Sequence, residues 1–245
     1  MTSGDERTHG GVEFPNTRWS LILAGKAGGD ARRAAYDEIA QHYVEPIRAY
    51  LRCAWARSPG RVDDLAQAFF AWSLESGFLA KADPTRGRFR AFLKVALRNF
   101  ALEQRRKERA TMRGGDVTTE SWTRADGSDV EVLDHDAASA EDVLDRAWKG
   151  ALVRRALERL RVEFESDGRA AVYAVFRDYV LEPSTEIDYA TVAARHGLTK
   201  VDVSNYLQRA KTRFRAVLRA EVTDTVRDPD ALSDEWSWLF AEAPR

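Results

Sequence analysis

Apolar residues recur three and four positions apart in every segment of this chain that could supply a core, and no run of convincing alternation is present. An α-helix puts residues three and four apart on one face, whereas a strand puts alternate residues there. The chain therefore reads as all-α. Ala35, Ile39, Tyr43, Ile47, Tyr50, Leu51 and Ala54 place a helix over about 31–56, with Asp30 as its N-cap and Pro46 as a point of bending. Ser58-Pro59-Gly60 breaks it. Val62, Leu65, Ala66, Phe69, Phe70 and Leu74 mark a second helix over 61–76, ended by Gly77. A loop over 78–87 leads to a third helix, 88–110, on Phe89, Phe92, Leu93, Ala96, Leu97, Phe100 and Ala101.

The period then lapses. Residues 114–139 are rich in Asp, Ser, Thr and Gly and read as a linker. It resumes at about 140 with Val143, Trp148, Leu152, Ala156, Leu157, Leu160 and Phe164. Further helices follow over 169–181, 188–196 and 200–224, with Pro183 forcing a break. The expected organisation is two small helical domains, 14–113 and 140–222, joined by the 114–139 linker and followed by a tail, 223–245. Phe14, Trp19, Leu21, Ile22 and Leu23 open the ordered part, after a polar leader.

Composition narrows the function. Of 245 residues, 44% are hydrophobic, too many for a disordered chain. The one cysteine, Cys53, excludes a disulfide framework and a Cys-rich zinc site. No apolar run approaches the roughly 18–20 residues of a membrane span, and the polar N-terminus lacks the apolar core of a secretory signal. A cytoplasmic protein with no membrane partner is expected. His9, His42, His135 and His196 are scattered without metal-ligand spacing, and there is no Gly-rich phosphate loop or nucleophile elbow. No catalytic residue, metal or cofactor is expected, and the chain reads as a non-enzyme.

Net charge is only −1, but the charge is sorted along the chain. Residues 86–113 carry ten basic and two acidic side chains, and residues 195–219 carry seven and one. Between them, 114–145 has ten acidic and one basic, and 221–245 has seven acidic and two basic. Two basic blocks separated by an acidic connector point to two anion-binding surfaces; the plainer alternative is solvated helix faces of mixed sign.

The second basic block sits on a helix corner. Ala193 is small where two helices must cross closely, and Gly197 can take the left-handed conformation that ends a helix cheaply. Leu198 follows as the apolar residue of the turn. Thr199 and Asp202 form a capping-box-like pair, and Val203 and Leu207 return to the core. The helix after the corner offers Lys200, Ser204, Asn205, Gln208, Arg209 and Arg213, side chains that bond base edges or phosphates. An ordinary helix corner with a hydrophilic face is the bland alternative.

The first basic block carries Arg90, Lys94, Arg98, Asn99, Arg105 and Arg106 on the third helix, beside Phe89, Phe92, Phe100 and Trp72. Cations with aromatic faces suit single-stranded nucleic acid. The alternative is that the aromatics are core, which their shared apolar stripe favours for Phe92 and Phe100. Asp63 and Asp64 are adjacent on a helix, so they do not converge as an acid/base pair. With Gln67 they form an exposed polar face.

These blocks resemble the bacterial RNA polymerase sigma factors of the sigma-70 family, extracytoplasmic-function type. Residues 63–70 (DDLAQAFF) and 87–106 (GRFRAFLKVALRNFALEQRR) are similar to the family's region 2, and 188–215 to its region 4 helix-turn-helix. The resemblance covers about 14–220. It implies that Asp63, Asp64, Gln67 and Phe70 contact core RNA polymerase. It implies that Arg90, Lys94, Arg98, Asn99, Arg105 and Arg106 melt and hold the −10 element. It implies that Lys200, Ser204, Asn205, Gln208, Arg209 and Arg213 read the −35 element. Core polymerase and promoter DNA are the implied partners, with an anti-sigma factor or other regulator left open, and the free protein is expected to be a monomer.

Two residues depart from the pattern: Arg61 stands where an acidic residue is common, and Glu103 where Asp is more usual. The tail, with Trp236, Trp238 and Phe240, has no place in a minimal member. Folding back on the basic surfaces, binding a regulator and plain helix packing all remain open for it. A helix-turn-helix regulator that never touches polymerase is the alternative function; it shares 188–219 but gives no reason for the Asp64/Gln67/Phe70 helix.

Overall fold

The structure, a computed structural model, describes residues 26, 28–55, 59–83, 88–112, 134–182, 187–226 and 229–241. Phe14 to Leu23, Ser58, Arg113 to Gly115, Pro183 and the linker as far as 133 lie outside the described residues. Those described form eight α-helices: α1 (Gly29–Trp55), α2 (Pro59–Glu75), α3 (Phe89–Met112), α4 (Asp134–Ser166), α5 (Ala170–Phe176), α6 (Tyr189–His196), α7 (Lys200–Thr223) and α8 (Pro229–Phe240). No strand occurs among them, in line with the all-α reading.

α1 buries Ala35, Ile39, Tyr43, Ile47, Tyr50 and Leu51, the stripe its spacing dictates. It starts earlier than its sequence indicates. Asp30 stands in the first turn, not at the N-cap, where its charge complements the helix dipole. Pro46 lies buried inside α1 without ending it. The expected loop after α2 contains a 3₁₀ turn, Phe78–Lys81, and Phe78 is buried with its ring stacked on Phe92 at 4.3 Å. Arg32 and Tyr36 of α1 donate to the carbonyls of Leu74 and Ser73, tying α1 to the end of α2.

One sequence expectation is corrected: α4 begins at Asp134, so the last six residues assigned to the linker are helical. For the tail, where a packing helix is one of the open readings, the structure has a helix, α8, whose Glu235 and Leu239 are buried.

The packing joins what the sequence separates. α4 lies along α1 and also packs on α5 and α7. One apolar cluster runs from Ala35 and Phe100 through Trp148 to Val203 and Val222. Arg155 crosses the seam on the polar side, donating to the His42 carbonyl at 3.2 Å and pairing with buried Glu221 at 3.1 Å.

Candidate nucleic-acid interface

The α6–α7 corner is built as its residues require. Asp188 caps α6 by accepting from the Thr191 amide at 2.7 Å. Gly197 ends it at φ +64°, and the Leu198 amide returns to the Ala193 carbonyl at 2.9 Å. The capping box is complete: the Thr199 hydroxyl accepts from the Asp202 amide at 3.1 Å, and the Asp202 carboxylate accepts from the Thr199 amide at 3.0 Å. The Thr199 hydroxyl, donating to the Asp202 carboxylate at 2.6 Å, and the Thr199 amide lower the Asp202 carboxyl pKa. Val203 and Leu207 are buried, and Ala193 sits at the crossing, also buried. Leu198 is half-buried.

This geometry turns the opposite face of α7 outward. Lys200, Ser204, Asn205, Gln208, Arg209 and Arg213 are all exposed. Asn205, Gln208, Arg209 and Arg213 line one shallow concavity of about 600 Å³. Lys200 stands more than a turn nearer the N-terminus, where a helix presents free amides and positive potential, and Ser204 directly precedes Asn205. Arg213 is the one of the six held to another element: its Nε pairs with Glu163 of α4 at 2.7 Å.

A residue the sequence analysis did not single out anchors this corner. Asp178 is buried in a π-helical turn, Arg177–Leu181, that continues α5. Its carboxylate accepts from Arg177 at 2.9 and 3.1 Å, from Arg195 at 3.1 Å and meets His196 Nε2 at 3.0 Å. Burial pushes its pKa up, but the hydrogen bonds from Arg177, Arg195 and His196 prevail and hold it at about 2. Arg195 and His196 form the last turn of α6, so Asp178 fixes where α6 ends. The available signal was an acidic residue among apolar neighbours on the 169–181 helix.

The structure splits the six polar residues of α3 between two faces. At about 100° per residue, Arg90, Lys94, Arg98 and Arg105 fall within one quadrant and Asn99 and Arg106 roughly opposite its start. The quadrant turns inward. Arg90 is only 8% exposed and pairs with Asp145 of α4 at 2.8 Å and with Glu235 of α8 at 3.1 Å. Lys94 pairs with Asp145 at 2.8 Å. Arg105 donates to the Ala54 carbonyl at 3.0 Å and lies over the Trp55 ring. Arg98 is half-buried, while Asn99 and Arg106 face solvent with Val95. Helical spacing alone could not reveal which cations meet carboxylates from elsewhere in the chain.

The aromatics beside this block are largely core. Phe89 and Phe100 are buried, which removes Phe89 from the set open to solvent. The Trp72 indole donates to Glu103 at 2.7 Å. Lys107, opposed by burial and joined by Trp72, lowers the Glu103 carboxyl pKa.

On α2, burial of Val62, Leu65, Ala66 and Phe69 leaves Asp63, Asp64 and Gln67 exposed, as the spacing implies. Asp63 pairs with Arg48 of α1 at 2.9 Å. Phe70 is half-buried and borders, with Tyr36, Ala40, Ala71 and Leu74, an apolar groove of about 710 Å³ between α1 and α2.

The chain matches no family model, no curated protein and no solved structure. Among the described residues no group of three or more His, Cys, Asp or Glu could hold a metal ion, and no helix is long and apolar enough to cross a membrane.

Proposed function

We propose that this protein is a promoter-specificity subunit of bacterial RNA polymerase, of the sigma-70 family and extracytoplasmic-function type. The observation that carries the reading is the α6–α7 corner, which has a complete capping box and a wholly exposed polar face on the N-terminal half of α7. A helix held at such a corner, with Lys, Ser, Asn, Gln and Arg outward, suits the major groove. The exposed Asp63/Asp64/Gln67 face of α2, with Phe70 at a neighbouring apolar groove, supports a protein-binding role for that helix. The protein would bind core polymerase, place α7 on the −35 element and open the −10 element with α3, using binding energy without nucleotide hydrolysis.

The test is run-off transcription with purified bacterial core polymerase, with and without the protein, on genomic fragments that include its own upstream region. Discrete starts that depend on the protein are the expected result. Absence of starts together with absence of core-polymerase binding overturns the reading and leaves a helix-turn-helix regulator that acts without polymerase.

A further inference from the structure

The polar residues that bind Arg88 and Arg90 come mainly from the last helix. Asp234 accepts from Arg88 at 2.9 Å, and Glu235 pairs with Arg88 at 3.2 Å and with Arg90 at 3.1 Å. Glu235 is 1% exposed. The Trp238 ring lies 3.6 Å beneath the Arg90 guanidinium, and Lys149 of α4 stands 4.7 Å from the same ring. Lys149 also donates to the Ala241 carbonyl at 2.7 Å, holding the C-terminal end of α8. Three cations, Arg88, Arg90 and Lys149, thus contact α8, while Lys94 beside them pairs with Asp145 of α4.

The arrangement copies what a nucleic-acid strand would offer. Paired oxygens satisfy a guanidinium fork as a phosphate does. A flat π-face beneath an arginine takes the place of an unstacked base. The helix supplying these groups belongs to the acidic segment 221–245; Leu239 is buried, and Leu232, Trp236 and Trp238 pack partly buried against the core. The ion pairs of such a helix are exchangeable for those of another polyanion, because the cations lose no partner when carboxylates give way to phosphates.

We propose that α8 is an internal nucleic-acid mimic that covers the Arg88/Arg90 surface and must be displaced before a single strand can occupy it. This rests on the reading of α3 as a strand-binding helix. A covered site has its apparent affinity reduced by the fraction of time it is open, so a patch open one-tenth of the time binds about tenfold more weakly.

The probe is a fluorescein-labelled single-stranded thymidylate oligomer, titrated by anisotropy against the full chain and against Asp234→Asn/Trp238→Ala. The double variant should bind about tenfold more tightly, the gain expected when such a cover is removed, and Trp238→Phe, which keeps an aromatic face, should bind like the wild type. Equal affinity of wild type and double variant, or binding by neither, overturns the proposal. Amide hydrogen exchange on the wild-type chain guards against a misfolded variant: residues 229–240 should lose protection at saturating oligomer, and unchanged protection overturns the proposal. Core-polymerase capture by the wild type is scored separately, so failure of the promoter-specificity reading is told apart from failure of the mimic.

Discussion

The Trp148 ring of α4 stacks on the Tyr43 ring of α1, with centroids 4.4 Å apart and planes 21° from parallel. Both side chains are 1% exposed, and both rings also approach Phe89 of α3. Two residues more than a hundred positions apart thus weld the helices on either side of the acidic connector. The N-terminal and C-terminal helices share a core in this conformation.

Trp148→Ala removes the largest fully buried side chain among the described residues. Truncating a core tryptophan costs about 3–5 kcal/mol through lost burial and the cavity left behind. Urea unfolding followed by circular dichroism should show a loss in that range. A loss below about 1 kcal/mol would mean that the seam contributes little to the stability of the free protein.

Gly197 tests the helix corner at one atom. It has φ +64°, and a Cβ built there meets nothing within 4 Å. The cost of Gly197→Ala is therefore conformational and not steric, about 1–2 kcal/mol. Gly197→Asn should cost less, because asparagine tolerates the left-handed region through local hydrogen bonding. Thermal unfolding of the two variants should rank wild type above Asn and Asn above Ala. Equal stability of the Ala and Asn variants would assign the cost to something other than backbone conformation.

Asp178 makes the corner acid-sensitive. Burial raises its pKa, but the hydrogen bonds from Arg177, Arg195 and His196 outweigh it and leave the folded value at about 2, below that of the unfolded chain. A carboxylate with a depressed folded pKa stabilises fully above its unfolded pKa and loses that contribution as pH falls through the folded value. The loss therefore falls between about pH 4 and pH 2. Asp178→Asn should lower stability at neutral pH and flatten the dependence across that window. Parallel slopes for wild type and variant in urea titrations at stepped pH would remove Asp178 from the acid response.

Much of this was legible in the sequence because helical periodicity reports directly on which face is buried. The stripes of Ala35 to Leu51 and of Val62 to Phe69 are buried in the structure, and the Thr199–Asp202 box and Gly197 turn were fixed by local chemistry. What escaped was set by distant partners. Nothing on α3 says that Arg90 meets Glu235 more than a hundred positions away, while Asn99 on the same helix faces solvent. The Asp178 hub escaped for the same reason, since Arg195 and His196 reach it across a break in the helix. The start of α4 was missed because Asp134 to Ser139 carry no sustained apolar period.

On the proposed promoter-binding reading of α7, exposure separates recognition from folding. Lys200→Ala and Arg209→Ala should leave unfolding midpoints within about 0.5 kcal/mol of wild type, as exposed substitutions do. Each should weaken binding to the upstream promoter element by about 1–3 kcal/mol where a base contact is lost. A phosphate contact would show instead as a salt dependence reduced by about one charge. Anisotropy with a promoter duplex found by run-off transcription reads both, and unchanged affinity and salt slope would remove these residues from the interface.

Adjacent arginines on α3 offer the corresponding contrast for strand opening. Arg105 donates to the Ala54 carbonyl at the end of α1, so Arg105→Ala should cost about 1 kcal/mol of stability as well as any DNA contact. Arg106 is exposed and lies near Asn99 on the solvent face, so Arg106→Ala should leave stability unchanged. Permanganate reactivity of the −10 element in a polymerase complex should fall in the Arg106→Ala variant more than closed-complex binding does. Equal loss in both would place Arg106 in initial docking. A normal footprint would leave opening to Arg98 and to the cations that α8 covers.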